Sequence, residues 1–199
     1  MRVLVVGASG TVGQAAVKEL GRRHEIITAG RNSGDVTVDL TSEASISAMF
    51  EKLGRVDAIV TTAGHVHFGP LITMTAADFR KGLDDKLMGQ INLTLIGQHH
   101  LNDNGSITLT SGVLDRDPIR MGANAAAVNG AIGGFVRSAA IELPRGLRIN
   151  AVSPGLLEES AGKYDGFFPG HETVSSARVG LAFAKSVDGA ITGQVIIVE

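Results

Sequence analysis

The sequence predicts an α/β domain in which helices cover both faces of a doubly wound parallel sheet of about seven strands. Short β-branched runs alternate with longer amphipathic segments along the 199 residues, and this alternation is typical of parallel strands joined by right-handed helical crossovers. Most strand-like runs are apolar nearly throughout, as expected for a sheet covered on both faces. No internal repeat or linker interrupts the pattern, so we expect a single domain over residues 1–199.

The individual elements follow from hydrophobic periodicity and from capping residues. Strands are predicted at 2–7, 25–30, 35–39, 57–62, 105–111, 147–153 and 194–199. Helices are predicted at 11–21, 42–53, 75–100 with a break, 122–143 and 173–187. Thr41, Ser42 and Glu43 fit an N-cap region, and Thr75 with Asp78 fits a capping box at the start of the third helix.

Composition excludes several classes of function. The chain has 18 basic and 20 acidic residues and no basic run, which argues against a nucleic-acid or membrane-surface partner. Cysteine is absent, so disulfides, thiol nucleophiles and thiolate metal sites are excluded. The apolar start of the chain is broken by Gly7 and followed by Lys18 and Glu19, and is too short for a signal peptide or a membrane span. We therefore expect a cytoplasmic protein.

A glycine-rich segment between the first strand and the first helix carries the strongest functional signal. "VVGASGTVGQ" contains Gly7, Gly10 and Gly13, which permit a tight turn, close approach of the backbone to a pyrophosphate, and close packing of helix on strand. The helix that follows would present free N–H groups and its positive dipole end to phosphates. The segment predicts a dinucleotide site; a glycine-rich turn without a ligand is the alternative.

Four segments together resemble the short-chain dehydrogenase/reductase family. They are the glycine loop, "TTAG" at 61–64, "VSPG" at 152–155 and "ITGQVIIV" at 191–198. The resemblance covers essentially the whole chain and implies a Rossmann-type, three-layer domain that binds a nicotinamide dinucleotide. The cofactor-binding residues it implies are Gly7, Ser9, Gly10, Thr11, Val12, Gly13, Asp39, Leu40, Ala63, Gly64, Pro154 and Gly155.

The end of the second strand indicates which nicotinamide cofactor is preferred. An acidic residue there would bind the ribose 2′-hydroxyl of NAD, whereas a nearby Arg accommodates the 2′-phosphate of NADP. This sequence has Gly30 at that position, followed by Arg31, Asn32 and Ser33. A guanidinium binds a phosphate through charge-assisted hydrogen bonds, so NADP(H) is predicted over NAD(H). The alternative is that Arg31 is only a solvated loop residue.

The positions of the family's four catalytic side chains hold other residues here. The family uses a Tyr as acid/base, a Lys four residues later, a Ser that polarises the substrate oxygen and an Asn in a proton relay. Set in register by "GFVRSAAIELPRGLRINAVSPG", the resemblance puts Ala125 and Asn129 at the Tyr and Lys positions. Gly112 falls at the Ser position and Lys86 at the Asn position. No Tyr-x-x-x-Lys motif occurs anywhere in the chain, and its single tyrosine, Tyr164, follows "VSPG".

Three residues are candidates to replace the missing groups. Lys86 could donate a proton if desolvation lowered its pKa, although it could equally be a solvated amine. His65 follows "TTAG" and a His is a natural proton shuttle; loop packing is the alternative for it and for His67, and no metal site is expected. Ser111 precedes the Ser position, but its side chain should point to the other face of its strand.

Three interpretations of function remain open from the sequence. The first is an NADP(H)-dependent oxidoreductase acting on alcohol or carbonyl groups with a degenerate site, and the second is a catalytically silent cofactor-binding sensor or regulatory protein. The third, a purely structural protein, is disfavoured by the intact glycine loop and Arg31. Small residues on several faces of helix 122–143 predict a homodimer or homotetramer. The sequence identifies no substrate.

Overall fold

The computed structural model describes residues 1–199 and contains nine strands and six α-helices. The strands are β1 (Arg2–Val6), β2 (Glu25–Gly30), β3 (Val36–Thr37), β4 (Val56–Thr61), β5 (Leu101–Thr110), β6 (Arg148–Pro154), β7 (Leu156–Leu157), β8 (Thr173–Val174) and β9 (Val195–Val198). The helices are α1 (Thr11–Leu20), α2 (Glu43–Leu53), α3 (Ala76–Gly82), α4 (Met88–Gly97), α5 (Ala123–Glu142) and α6 (Ser176–Asp188).

Seven of the strands form one sheet in the order β3-β2-β1-β4-β5-β6-β9, and every pair in it is parallel. The predicted doubly wound sheet is therefore confirmed. The chain winds in one direction from β1 to β3 and in the other direction from β4 onward. The crevice beyond the carboxyl ends of β1 and β4 lies at this reversal, where open α/β sheets bind their ligands.

Two apolar layers cover the faces of the sheet. On one face α1 and α6 bury Leu20 and Phe183 against β1 and β4. On the other face α2, α4 and α5 bury Phe50, Leu93 and Ile132 against the central strands. Because both faces are covered, the strands read as continuous apolar runs. No helix combines the length and the apolarity needed to cross a membrane.

The predicted break in the third helix is a π-helical turn. Leu83–Leu87 forms this turn between α3 and α4, and such insertions in α-helices frequently occur at functional sites. The capping box predicted from Thr75 and Asp78 is present, with each side chain bonded to the other residue's backbone N–H. The turn carries Lys86, so the break lies at one of the predicted site residues.

Several element boundaries differ from the sequence-based expectation. The third strand has two residues instead of five, and β5 begins at Leu101, before the apolar run. The last helix begins at Ser176 because Thr173 and Val174 pair with Leu156 and Leu157 in a second, two-stranded sheet. The segment between these two short strands, which we call the lid (158–172), contains the 3₁₀ stretch Glu158–Tyr164.

Candidate functional site

The glycine loop makes room for a ligand at the start of α1. Gly7 has a φ of +87°, and a Cβ added there would lie 2.7 Å from the backbone nitrogen of Ala63. A Cβ on Gly13 would overlap the carbonyl oxygen of Gly7. Gly10 is the N-cap of α1 and no side chain caps the helix, so the first N–H groups of α1 are left for a ligand. This is the fit expected for a dinucleotide pyrophosphate.

A cavity of ≈ 340 Å³ opens on the β2 side of the loop. It brings together seven of the predicted cofactor residues: Gly7, Ser9, Arg31, Asn32, Ser33, Leu40 and Ala63. The Arg31 side chain is 54% exposed and its Nη2 lies 3.4 Å from Asp39 Oδ1 and 3.9 Å from Asp85 Oδ2. Hydrogen bonds from Thr41 hold the pKa of the Asp39 carboxyl below its usual range. An exposed guanidinium held only by weak ion pairs can turn toward a phosphate.

A second cavity of ≈ 460 Å³ lies on the other side of the loop. Six more predicted cofactor residues line it: Gly10, Thr11, Val12, Gly64, Pro154 and Gly155. The same cavity is lined by Lys86, Ser111, Gly112, Ala125 and Asn129. Most of the residues singled out from the sequence therefore converge on two adjoining cavities. Of the remaining cofactor candidates, Gly13 is buried and Asp39 contacts Arg31.

The ammonium of Lys86 lies in the second cavity, where neutral groups hold it. Its Nζ donates to the carbonyl oxygen of Ser111 and to Oδ1 of Asn129, each at 2.9 Å. Burial lowers the pKa of Lys86 to about 8, and the carboxylate of Asp115 offsets part of this effect. Two of the three N–H donors are engaged, which leaves one for a ligand. The site thus presents a proton that can be released near neutral pH.

The backbone around Lys86 fixes its position. A Cβ on Gly64, whose φ is +123°, would lie 2.7 Å from both Cα and Cγ of Lys86, so only glycine allows this close approach. One turn further on, Gln90 is buried and exchanges two hydrogen bonds with the backbone of Thr110, at 2.9 and 3.0 Å. The helix is therefore attached to the end of β5 immediately beside Lys86. Gln90 was not singled out from the sequence, although its spacing of four residues from Lys86 places both on one helical face.

The Ser111 hydroxyl does not face the cavity. Its oxygen is inaccessible to solvent and has no hydrogen-bond partner, and only its main chain takes part in the contact with Lys86. This agrees with the alternation of side chains along a strand. Gly112 has a nearly extended backbone, and a Cβ there would lie 3.1 Å from Asn129 Nδ2.

The two candidate histidines make different contacts. His65 lines the cavity on the β2 side, its side chain is 85% exposed, and its Nδ1 lies 3.3 Å from Asp85 Oδ2. The backbone N–H of His67 donates to Oδ1 of Asn124 at 2.8 Å. No cluster of three or more His, Asp or Glu side chains that could hold a metal ion occurs.

Besides Gln90, two residues near the site were not identified from the sequence. Asp85 lines the β2-side cavity and contacts both Arg31 and His65. Asn124 is fully buried on α5 and its Nδ2 donates to the carbonyl oxygen of Phe79 at 2.6 Å. Asn124 thus links α5, α3 and the loop after β4. The feature of the sequence that could have identified Asn124 is an amide side chain in a helix made mostly of small residues.

The lid brings the single tyrosine to the cavity. Tyr164 lines it together with Phe68 and Phe168, and the Tyr164 ring centroid lies 6.4 Å from that of Phe68 and 5.9 Å from that of Phe168. Lys163 lies over the Tyr164 ring at 5.5 Å. The lid therefore forms part of the wall of the cavity that also contains Lys86.

Comparison with known proteins places this geometry in a family. A family model described as Enoyl-(Acyl carrier protein) reductase matches residues 1–199. The solved structure of the protein lin1944 from Listeria innocua is 52% identical with a TM-score of 0.99, and both chains are covered completely. A solved small-chain dehydrogenase in complex with NADPH is 26% identical with a TM-score of 0.87, over 100% of this chain and 96% of that chain.

A curated relative matches part of the chain. The short-chain reductase protein NovJ of Streptomyces niveus is 33% identical over 126 residues, which is 62% of this chain and 48% of NovJ. The match therefore spans about half the length of that relative. Since the family model matches the chain from end to end around this glycine loop and these two cavities, the chain belongs to the short-chain dehydrogenase/reductase family.

Proposed function

We propose that the protein is an NADP(H)-dependent oxidoreductase that acts on carbonyl or alcohol groups and uses Lys86 as its proton donor. The observation that carries the proposal is the desolvated Lys86 ammonium in the cavity beside the glycine loop. When bound, the cofactor would supply a hydride to the substrate carbon or accept one from it. The chain's own groups bind, orient and deliver the proton.

The cofactor would be held at two places on the chain. The uncapped N-terminus of α1 offers N–H groups and a positive dipole end to the pyrophosphate. Arg31, with Asn32 and Ser33 beside it in the β2-side cavity, would bind a 2′-phosphate. No carboxylate occupies the end of β2, where Gly30 stands. The solved relative in complex with NADPH supports this preference.

Lys86 would give its third proton to the carbonyl oxygen of the substrate. Asn129 and the Ser111 carbonyl hold the other two protons, so the amine stays in place after the transfer. As negative charge develops on the substrate oxygen, the ammonium stabilises it in a site of low polarity. A pKa of about 8 is close to the operating pH, where general acids work best.

Turnover at this site would be slower than in family members that have the usual four catalytic side chains. At the positions that the resemblance assigns to the family's Tyr and Lys, the cavity wall has Ala125 and Asn129, and neither titrates. This observation also favours the second candidate, a protein that binds the cofactor and reports on its redox state without turnover. The two candidates differ in whether Lys86 transfers a proton.

The test is NADPH oxidation with a panel of aldehydes and ketones. Lys86→Met removes the proton while keeping a long side chain, and Lys81→Met is the matched control, because Lys81 is exposed on α3 and pairs only with Asp78. We expect the rate of Lys86→Met to fall about 10²–10⁴-fold, the usual contribution of general acid catalysis, while Lys81→Met keeps the wild-type rate. Equal rates for all three proteins would exclude Lys86 as the donor. Tight NADPH binding without oxidation of any substrate would identify the sensor.

We also propose that the chain forms a homodimer through α4 and α5. Met88 and Leu95 on α4 and Ile141 on α5 are large apolar side chains exposed to solvent, and a Cβ on Gly134 of α5 would meet nothing within 4 Å. Such a surface allows two copies of a helix pair to approach closely, and a two-fold dimer is the commonest closed assembly.

A further inference from the structure

Three aromatic rings form one side of the cavity that contains Lys86. Phe68 comes from the loop after β4, and Tyr164 and Phe168 come from the lid. The Tyr164 and Phe168 rings meet edge to face at 5.9 Å, within the range of favourable aromatic pairs. A flat ring of a ligand in this cavity would contact the faces and edges of these aromatic side chains.

Aliphatic side chains adjoin the rings in the wall of the cavity. Val113, Leu114 and Ala125 form a small buried cluster of their own, and Phe68 and Phe168 pack against it. Ala125 is the smallest of these residues and faces the cavity from α5. A larger residue at 125 would take up part of the cavity beside the rings, so the alanine leaves room for a bulky apolar group.

Some polar atoms in the deep part of the cavity are already hydrogen-bonded or buried. The Thr62 hydroxyl donates to the carbonyl oxygens of Val6 and Gly7, and Asn129 Oδ1 accepts from Lys86. The Ser111 hydroxyl is inaccessible to solvent. The other polar side chains, Thr11, Ser160, Lys163 and Tyr164, belong to α1 and the lid. Hydroxyl groups of a ligand that lie against the aromatic and aliphatic side chains would be left unpaired, which is costly.

We infer that the substrate of this cavity is a carbonyl compound whose reacting group is attached to a flat, apolar ring system, and that polyhydroxylated compounds are rejected. The inference rests on the proposed function, because it assigns the carbonyl oxygen to the Lys86 ammonium. Lys86 provides one polar anchor, and the rings and aliphatic side chains around it provide the rest of the binding energy through apolar contact.

The test measures binding without turnover, by calorimetry on NADPH-saturated protein, because the reduced cofactor cannot accept a hydride from an alcohol. Three alcohols serve as probes: naphthylmethanol, its fully saturated decalin analogue, and sorbitol. We expect naphthylmethanol to bind two- to tenfold more tightly than the decalin analogue, about what favourable aromatic contacts contribute, and sorbitol to show no binding. Phe168→Leu should remove the preference for the flat ring. Phe167→Leu is the matched control, since Phe167 is the next residue in the lid but lines a different cavity.

The outcomes separate this inference from the proposed function. The inference would be overturned if sorbitol bound as tightly as naphthylmethanol, or if Phe168→Leu and Phe167→Leu had equal effects on binding. This holds even if NADPH is oxidised with other carbonyl compounds. Should the lid variant prove unstable, Phe68→Leu tests the same ring wall from the other element. Binding of naphthylmethanol that depends on Phe168, together with no oxidation of NADPH by naphthaldehyde, would support the ring-binding cavity and refute the redox reaction.

Discussion

Replacing Lys86 by Met is expected to stabilise the protein at neutral pH while it abolishes turnover. The folded structure lowers the pKa of Lys86 from 10.5 to about 8, chiefly through burial. At about 1.4 kcal/mol per pH unit this corresponds to about 3 kcal/mol of unfavourable free energy for the charged form. Met avoids this cost but forfeits the hydrogen bonds to Ser111 and Asn129, each contributing about 1 kcal/mol. The net expectation is a gain of about 1 kcal/mol.

The sign of this effect should depend on pH. Below the folded-state pKa of about 8, both the folded and the unfolded chain carry a protonated Lys86, so the full cost is present. As pH rises from about 8 toward 10.5, the folded state releases the proton first and the unfolded state retains it, which raises the stability of the wild type. The advantage of Lys86→Met should therefore shrink above pH 8 and reverse within about one pH unit, because stability then rises by up to about 1.4 kcal/mol per pH unit.

Thermal melts and urea unfolding at about pH 7 and about pH 10 measure this directly. At neutral pH we expect the melting temperature of Lys86→Met to exceed that of the wild type by about 2–4 °C. Lys81→Met, which loses only an exposed ion pair with Asp78, should change stability by less than about 1 kcal/mol and show no such reversal. A variant that is less stable than the wild type at both pH values would refute the argument that Lys86 is held at a cost.

Three further predictions concern the cofactor and the assembly. Arg31→Asp should reverse the preference for NADP(H), since a carboxylate repels the 2′-phosphate and accepts from a ribose hydroxyl; equal calorimetric affinities of the wild type for both cofactors would contradict the role of Arg31. Gly13→Ala should lower both the melting temperature and cofactor affinity because its Cβ overlaps a loop carbonyl, whereas Gly10→Ala, with its nearest neighbour at 3.5 Å, should be tolerated in thermal melts. Leu95→Lys and Ile141→Lys should convert a dimer to the 20.6 kDa species in sedimentation, and a wild type that already sediments as that species would refute the proposed interface.

The order of strands and helices could be predicted because each element has a local signal. Apolar runs and capping residues located all seven strands of the main sheet and the helices between them, and the glycine loop identified the ligand-binding end. No side chain fits at Gly7 or Gly13, so the glycines themselves indicate where the loop lies.

The surroundings of Lys86 could not be predicted, because they depend on contacts between distant segments. Its partners Ser111 and Asn129 lie 25 and 43 residues further along the chain, immediately after β5 and on α5. A break in this helix was predicted, but not that it is a π-helical turn that carries Lys86. The structure of the lid could not be predicted either. It depends on the pairing of Leu156 and Leu157 with Thr173 and Val174, which is set by tertiary packing and not by β-propensity.

The pH dependence of kcat/KM for NADPH-dependent reduction of naphthaldehyde tests the central claim most directly, because this parameter reports the ionisation of the free enzyme. If Lys86 donates the proton, kcat/KM should be level below its pKa of about 8 and fall about tenfold per pH unit above it. Lys86→Arg, whose guanidinium stays protonated, should react slowly and show no such fall. A wild-type profile that stays level to about pH 10, or a fall at the same pH that persists in Lys86→Arg, would contradict the assignment of Lys86 as the proton donor.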